Sequence, residues 1–216
     1  MIENYTILPL FSKVFYLKIL KNLPLNKIVE IIKKEKYKTS GEINKELNVN
    51  NISFISNNVN ILEIKKFNFL KKILLKEFYT FKNNILNYTN NDFEITTSWI
   101  ALSNKKQKSN LHNHQNCMYS GILYLQTDTN SGDIIFDDMR DIRLKLYCNS
   151  YNIYNSKSWK ITPTNGMLIF FPSEVHHKIL KNNSNTERYS LAFNLMPTGK
   201  IGIENSDSFM NLKILK

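Results

Sequence analysis

Apolar and polar residues recur with two different periods along this chain, and the change falls near Asp92. Before it, from Asn26 to Lys38 and from Phe67 to Tyr88, apolar positions return at near-helical intervals, which predicts two helices. In the second stretch Phe69, Leu70, Ile73, Leu74, Phe78 and Phe81 form a stripe suited to packing on a sheet. Pro24 suits the first turn of the earlier helix. Thr39–Asn60 is polar and without clear period, which predicts loop with short extended pieces. The apolar patches of Ile7–Leu20 are broken by Lys13 and Lys18, with no A-x-A-like cleavage site after them. That segment reads as structure, neither leader nor membrane span.

From Phe93 onward, short runs rich in Ile, Leu, Phe, Tyr and Thr alternate with turn signals. The runs are Phe93–Leu102, Met118–Gln126, Ile134–Asp137, Trp159–Ile161, Met167–Phe171, His177–Leu180 and Arg188–Met196. Asn-Ser-Gly at 130–132 and Thr-Asn-Gly at 164–166 are typical of the punctuation between them. Short strands at this spacing predict a mainly β sandwich or barrel with helices against one sheet. The expected organisation is one structural domain. Residues 1–92 form a mainly helical support integrated with the barrel, and residues 93–216 form its core.

Composition narrows the class only a little. The 42% hydrophobic and 22% charged content is that of an ordered soluble protein, and a cytoplasmic location is expected. Cys117 and Cys148, the only cysteines, make neither a disulfide framework nor a zinc pattern. A net charge of +11 can attract nucleic acid or anionic lipid. The lysines are nevertheless scattered among Asn and Ile without a dense block, as an AT-rich genome would supply them. Solvated surface is the plainer reading, and nucleic-acid binding is weakly supported.

The histidines change the picture. All four fall in two places, His112 with His114 and His176 with His177. On a strand, residues i and i+2 face the same way, so His112 and His114 can reach one ion. His176 and His177 face opposite ways, so at most one of them joins. Exposed loop histidines and a strand cap are the bland alternative.

A second signal is Arg188–Asn194, R-Y-S-L-A-F-N. Tyr189, Leu191 and Phe193 make an ordinary core face. Arg188, Ser190, Ala192 and Asn194 make a small, polar, charged one. Were both faces covered, the second would line a cavity, because an unpaired buried Arg is costly. A guanidinium there would receive a carboxylate at roughly 1.5–3 kcal/mol per charge-assisted hydrogen bond. A half-exposed strand with Arg188 in solvent is the competing reading.

Taken in order, these segments resemble the iron(II)/2-oxoglutarate-dependent oxygenase superfamily, and within it a group common in marine bacteria and phages. The pattern H-x-H-x-N-x-x-x-S-G-x-x-Y-L is present from His112 to Leu125, followed by S-G-D-I-I-F-D-D. G-M-L-I-F-F-P-S-E-V-H-H then singles out His177, and E-R-x-S-x-x-F-N closes the set at Glu187–Asn194. Ser98–Ile100 and Leu8–Phe11 also look like this group.

The resemblance implies a double-stranded β-helix, the cupin-like jelly roll, with Fe(II) near one mouth and 2-oxoglutarate and O2 as cosubstrates. His112, His114 and His177 would be the metal ligands. Arg188, with Ser190, Tyr124 and Asn194, would form the cosubstrate-binding set, and no catalytic residue is implied beyond the metal centre. Oxidative decarboxylation to succinate would be coupled to hydroxylation of an unknown substrate. The superfamily usually carries H-x-D where this chain has H-N-H. Either His114 ligates, or a carboxylate such as Asp133, Asp137, Asp138 or Glu174 arrives from elsewhere.

Two other classes fit the same histidines. One is a three-histidine zinc hydrolase or hydratase, which has no general need of Arg188 with Ser190. The other is a non-catalytic cupin-like binding protein. The loops Asn104–Asn110 and Met139–Tyr154, with Lys105, Lys106, Arg140 and Arg143, are expected to border the mouth. Substrate and oligomeric state are not readable.

Overall fold

The computed structural model describes residues 6–40, 52–88, 91–140, 144 and 146–214. Its strands are β1 (Tyr16–Ile19), β2 (Tyr37–Thr39), β3 (Phe54–Ser56), β4 (Asp92–Ser103), β5 (Tyr119–Gln126) and β6 (Ile134–Asp137), followed by β7 (Ser158–Ile161), β8 (Met167–Pro172), β9 (His176–Ile179), β10 (Arg188–Ile201) and β11 (Met210–Leu212). The larger sheet runs β1-β8-β5-β10-β4-β3-β2 with β11 on β10, and the smaller runs β7-β6-β9. Every strand pairing is antiparallel. A backbone bridge from His112 to His177 continues the smaller sheet beyond β9. The chain thus crosses between two facing sheets, which is the double-stranded β-helix.

The period of two does the sorting. On β5, Leu123 and Leu125 point outward into the core shared with the helices, while Ile122 and Tyr124 point into the space between the sheets. On β10, Tyr189, Leu191, Phe193 and Leu195 take the outer side. The neighbouring face therefore looks inward, as its small and polar residues require. Gly121 lies opposite Phe193, and a Cβ there would come within 2.2 Å of the ring.

The helices cover the outer face of the larger sheet. α1 (Leu25–Ile32) buries Ile28, Val29 and Ile32, and α2 (Asn68–Asn84) buries Leu70, Leu74, Phe78 and Phe81. Each such side chain contributes about 1.5–3 kcal/mol on leaving water. Phe69, part of the expected stripe, instead faces solvent at 41% exposure.

The expected extent of the first helix is corrected. The first helix stops at Ile32, well short of Lys38, and Tyr37 and Lys38 lie in β2. The Tyr37 hydroxyl donates to the Ile32 carbonyl at 2.7 Å, giving that last-turn acceptor a partner as the chain doubles back. The segment Ile7–Leu20 contains β1, whose Tyr16 and Lys18 side chains both bond Glu77 of α2. The region before Asp92 therefore supplies three strands as well as two helices to the described fold. Within Thr39–Asn60, β3 is one of the extended pieces, and residues 41–51 lie outside the described residues. No helix among the described residues is long and apolar enough to cross a membrane.

Candidate metal centre

His112, His114 and His177 converge, with one possible ligand atom from each within 4.8 Å of the others. The bridge between His112 and His177 is made of two backbone hydrogen bonds, 3.0 and 2.7 Å long. It fixes these two residues side by side across adjacent strands, and their rings lie 4.4 Å apart. The backbone N–H of His114 donates to the Ser173 carbonyl at 3.0 Å, turning the chain so that its ring meets the other two. Adjacent His176 pairs with Asp137 across the smaller sheet, outside the cluster.

Each ring is held through Nδ1. His112 Nδ1 lies 2.8 Å from the Asn110 carbonyl, and His177 Nδ1 lies 3.2 Å from the Val175 carbonyl. His114 Nδ1 lies 2.8 Å from both the Asn194 Oδ1 and the Ser120 Oγ. A carbonyl oxygen can only accept, so in each case Nδ1 carries the proton and Nε2 keeps its lone pair. This is how outer partners prepare imidazoles for an ion. Burial holds the pKa of His114 down to about 4, and that of His177 down to about 3 with help from the neighbouring imidazoles. Both are neutral and ligand-competent near pH 7.

Among the described residues, no carboxylate joins the cluster. Asp133 pairs with Lys160, Asp138 with Arg140, and Asp137 accepts from the Met139 N–H. Trp99, Phe136 and Phe171 wall the histidines, with Trp99 5.4 Å from His114 and Phe171 5.0 Å from His177 between ring centres.

At the far end of the inner face, Arg188 is 0% exposed. Its Nη1 donates to the Ser131 carbonyl at 3.1 Å and the Gly132 carbonyl at 3.4 Å. Gly132 has a φ of 89°, and a Cβ there would meet the Leu180 carbonyl at 2.2 Å, so the S-G turn that presents these carbonyls needs glycine. Among the described residues, Arg188 Nε and Nη2 have no hydrogen-bond partner, and neither has the Tyr124 hydroxyl, also 0% exposed. Burial lowers the Arg188 pKa from its usual value and pushes that of Tyr124 up to about 12. Ser190, 2% exposed, pairs with Tyr124 across β10 and β5 and shares their inward face.

The expected site residues therefore form two groups along one inner face. Asn194 does not join Arg188. Its amide is engaged by His114 on one side and donates to Thr97 Oγ1 at 3.1 Å on the other. Ser120, Ser173 and Thr97 escaped the sequence reading, because what unites them is a shared level of the sheet and not a local motif.

Most of the loop Asn104–Asn110 lies away from the histidines, and only its last residue, Asn110, reaches His112. The loop hydrogen-bonds along residues 179–182, and Ser103 before it pairs with Arg188, so Lys105 and Lys106 sit away from the histidines. Part of Met139–Tyr154 borders a cleft that none of the three histidines lines. Arg140, Ile153 and Tyr154 line this cleft of about 690 Å³, whose inner wall includes Phe136 and Val175, both beside His177. Arg143 lies outside the described residues.

Residues 97–194 match the family described as "Putative 2OG-Fe(II) oxygenase". Solved structures of the same fold include a prolyl-4-hydroxylase from Pseudomonas putida, 15% identical, covering 85% of this chain and 93% of that one with a TM-score of 0.58. HygX from Streptomyces hygroscopicus, solved with nickel, 2-oxoglutarate and hygromycin B, is 11% identical over 86% and 84% of the two chains, with a TM-score of 0.60. The non-heme α-ketoglutarate-dependent epimerase SnoN of nogalamycin biosynthesis is 8% identical over 85% and 76%, with a TM-score of 0.61. Identities this low speak to the fold. No curated protein sequence matches the chain. The segment 97–194 is thus similar to a 2OG-Fe(II) oxygenase family, and the fold of the chain is that of the solved structures just named.

Proposed function

We propose that this protein is an Fe(II)/2-oxoglutarate-dependent dioxygenase whose ion is held by His112, His114 and His177. The observation that carries the reading is the pair of buried, unpartnered polar groups at Arg188 and Tyr124. A guanidinium taken out of water with two of its nitrogens unbonded is expensive, and a carboxylate is the partner its geometry fits. The distal carboxylate of 2-oxoglutarate would supply that partner, held by Arg188 and Tyr124 with Ser190 alongside. A histidine face with no carboxylate suits a dianionic chelator at the other end.

The bound iron supplies O2 activation coupled to decarboxylation of the cosubstrate. The chain's own work is positional. The three Nδ1 contacts orient the Nε2 lone pairs, the Arg188 end sets the reach of the cosubstrate, and Trp99, Phe136 and Phe171 pack beside His114 and His177 while His112 stays exposed. The primary substrate approaches from the cleft beside Phe136 and Val175. Hydroxylation is the default outcome, although a fold-mate named as an epimerase performs a different one.

A zinc hydrolase would also use three neutral histidines, but it leaves Arg188 and Tyr124 unexplained. Incubating the protein with Fe(II), 2-oxoglutarate and O2 and measuring succinate separates the readings. Slow metal-dependent succinate release that disappears in His177→Ala supports the oxygenase. No succinate, together with tight retention of zinc, favours the hydrolase.

A further inference from the structure

The third ligand position holds a neutral histidine, and the residue behind it is a neutral amide. Asn194 comes from β10, 80 residues beyond His114 in sequence, yet its Oδ1 lies 2.8 Å from His114 Nδ1. The amide is oriented from three directions. Its Nδ2 donates to Thr97 Oγ1 at 3.1 Å, and its Oδ1 also accepts from Ser120 Oγ at 3.0 Å. Ser120 is in turn 2.9 Å from Ser173 Oγ, in the buried layer under the ring. Thr97, Asn194 and Ser120 are consecutive partners across β4, β10 and β5, so the sheet itself delivers all three to one level. With Nδ2 donating to Thr97, Oδ1 faces the ring and accepts from Nδ1–H of His114.

We propose that Asn194 is a positioning residue. It holds His114 in the Nδ1–H tautomer with Nε2 free for the ion, and as an amide it keeps the whole ligand set uncharged. His112 and His177 lean on backbone carbonyls of their own strands and turns, which substitution of a side chain does not remove. His114 alone depends on side chains, so its hold on the ion can be changed without touching a ligand. A carboxylate at position 194 would make the imidazole a stronger donor and return one negative charge to the site. This inference rests on the three-histidine metal centre proposed above.

The test uses Co(II), whose visible spectrum reports the ligand field without turnover, in competition with a chromogenic chelator. Outer partners of ligating histidines are typically worth about 10–100-fold in metal affinity. Asn194→Leu is expected to weaken Co(II) binding by about that factor and to alter the ligand-field bands. Asn194→Asp is expected to bind at least as tightly as the parent, with the bands shifted the other way. Thr97→Val, which frees the amide to rotate, is expected to show a smaller loss of the same kind. Thermal unfolding of each metal-free variant checks that it is folded. Parent protein that binds no Co(II) overturns the metal centre itself. Parent-like affinity and spectrum in folded Asn194→Leu overturn only the role given to Asn194.

Discussion

Replacing Arg188 by Met separates a residue kept for a ligand from one kept for the fold. Arg188 is completely buried, and only Nη1 has partners, two backbone carbonyls at 3.1 and 3.4 Å. Nε and Nη2 have none, and burial already lowers its pKa. In the free protein the charge is thus poorly compensated, and exchanging buried ionic groups for apolar ones of similar volume is often neutral or stabilising by about 1–4 kcal/mol. Bound 2-oxoglutarate reverses the balance. Two charge-assisted hydrogen bonds at about 1.5–3 kcal/mol each make about 3–6 kcal/mol. That corresponds to roughly 10²–10⁴ in affinity. The expected pattern is opposed signs: an unchanged or raised unfolding midpoint without ligand, and at least a 100-fold weaker response to 2-oxoglutarate with Ni(II) in the site. Denaturant unfolding and isothermal titration of the Ni(II) form measure the two halves. A variant that loses more than about 2 kcal/mol of stability and binds 2-oxoglutarate as the parent does would refute this, since Arg188 would then be structural.

Other expectations concern the histidines and the sheet. His177→Ala should abolish metal retention after gel filtration while His176→Ala keeps it; the opposite outcome would put the wrong face of β9 toward the ion. Metal-free protein should lose stability between pH 7 and pH 5, because His114 and His177 titrate near 4 and 3 when folded and the unfolded chain takes up protons first, near 6.5. Linkage gives about 2 kcal/mol for each over that interval, with nothing further gained above pH 7. Urea midpoints that stay flat across this range would contradict the burial of the two rings. Gly121→Ala should cost about 1–3 kcal/mol, since its Cβ meets the Phe193 ring at 2.2 Å; a neutral effect would mean that the ring moves aside freely.

The β half of the chain was legible because its strands obey a period of two and its turns carry Gly and Asn. The inner face of β10 was readable for the same reason: an Arg among small residues opposite a core set of Tyr189, Leu191 and Phe193 has few destinations. The N-terminal region was less so. β1 is an edge strand with Leu17 and Ile19 exposed, so its pattern lacks the alternation that marks a half-buried strand. The first helix ends earlier than its sequence pattern because Tyr37 prolongs an apolar rhythm past Ile32, where its hydroxyl instead bonds the Ile32 carbonyl as the chain doubles back. The choice between His114 and a carboxylate is beyond the sequence, because it turns on which side chains the fold brings to one place. Asn194 was grouped with Arg188 because they share a face, yet six residues of extended strand, about 20 Å, separate the two ends of that face.

Anaerobic absorption spectroscopy reaches the proposed chemistry most directly. Fe(II) and then 2-oxoglutarate are added to metal-free protein, with Arg188→Met run beside it. A visible charge-transfer band that requires both additions, and that Arg188→Met develops only at far higher 2-oxoglutarate, is the expected result. No band in the parent protein, with zinc retained in preference to iron, would contradict an oxygenase built on these three histidines.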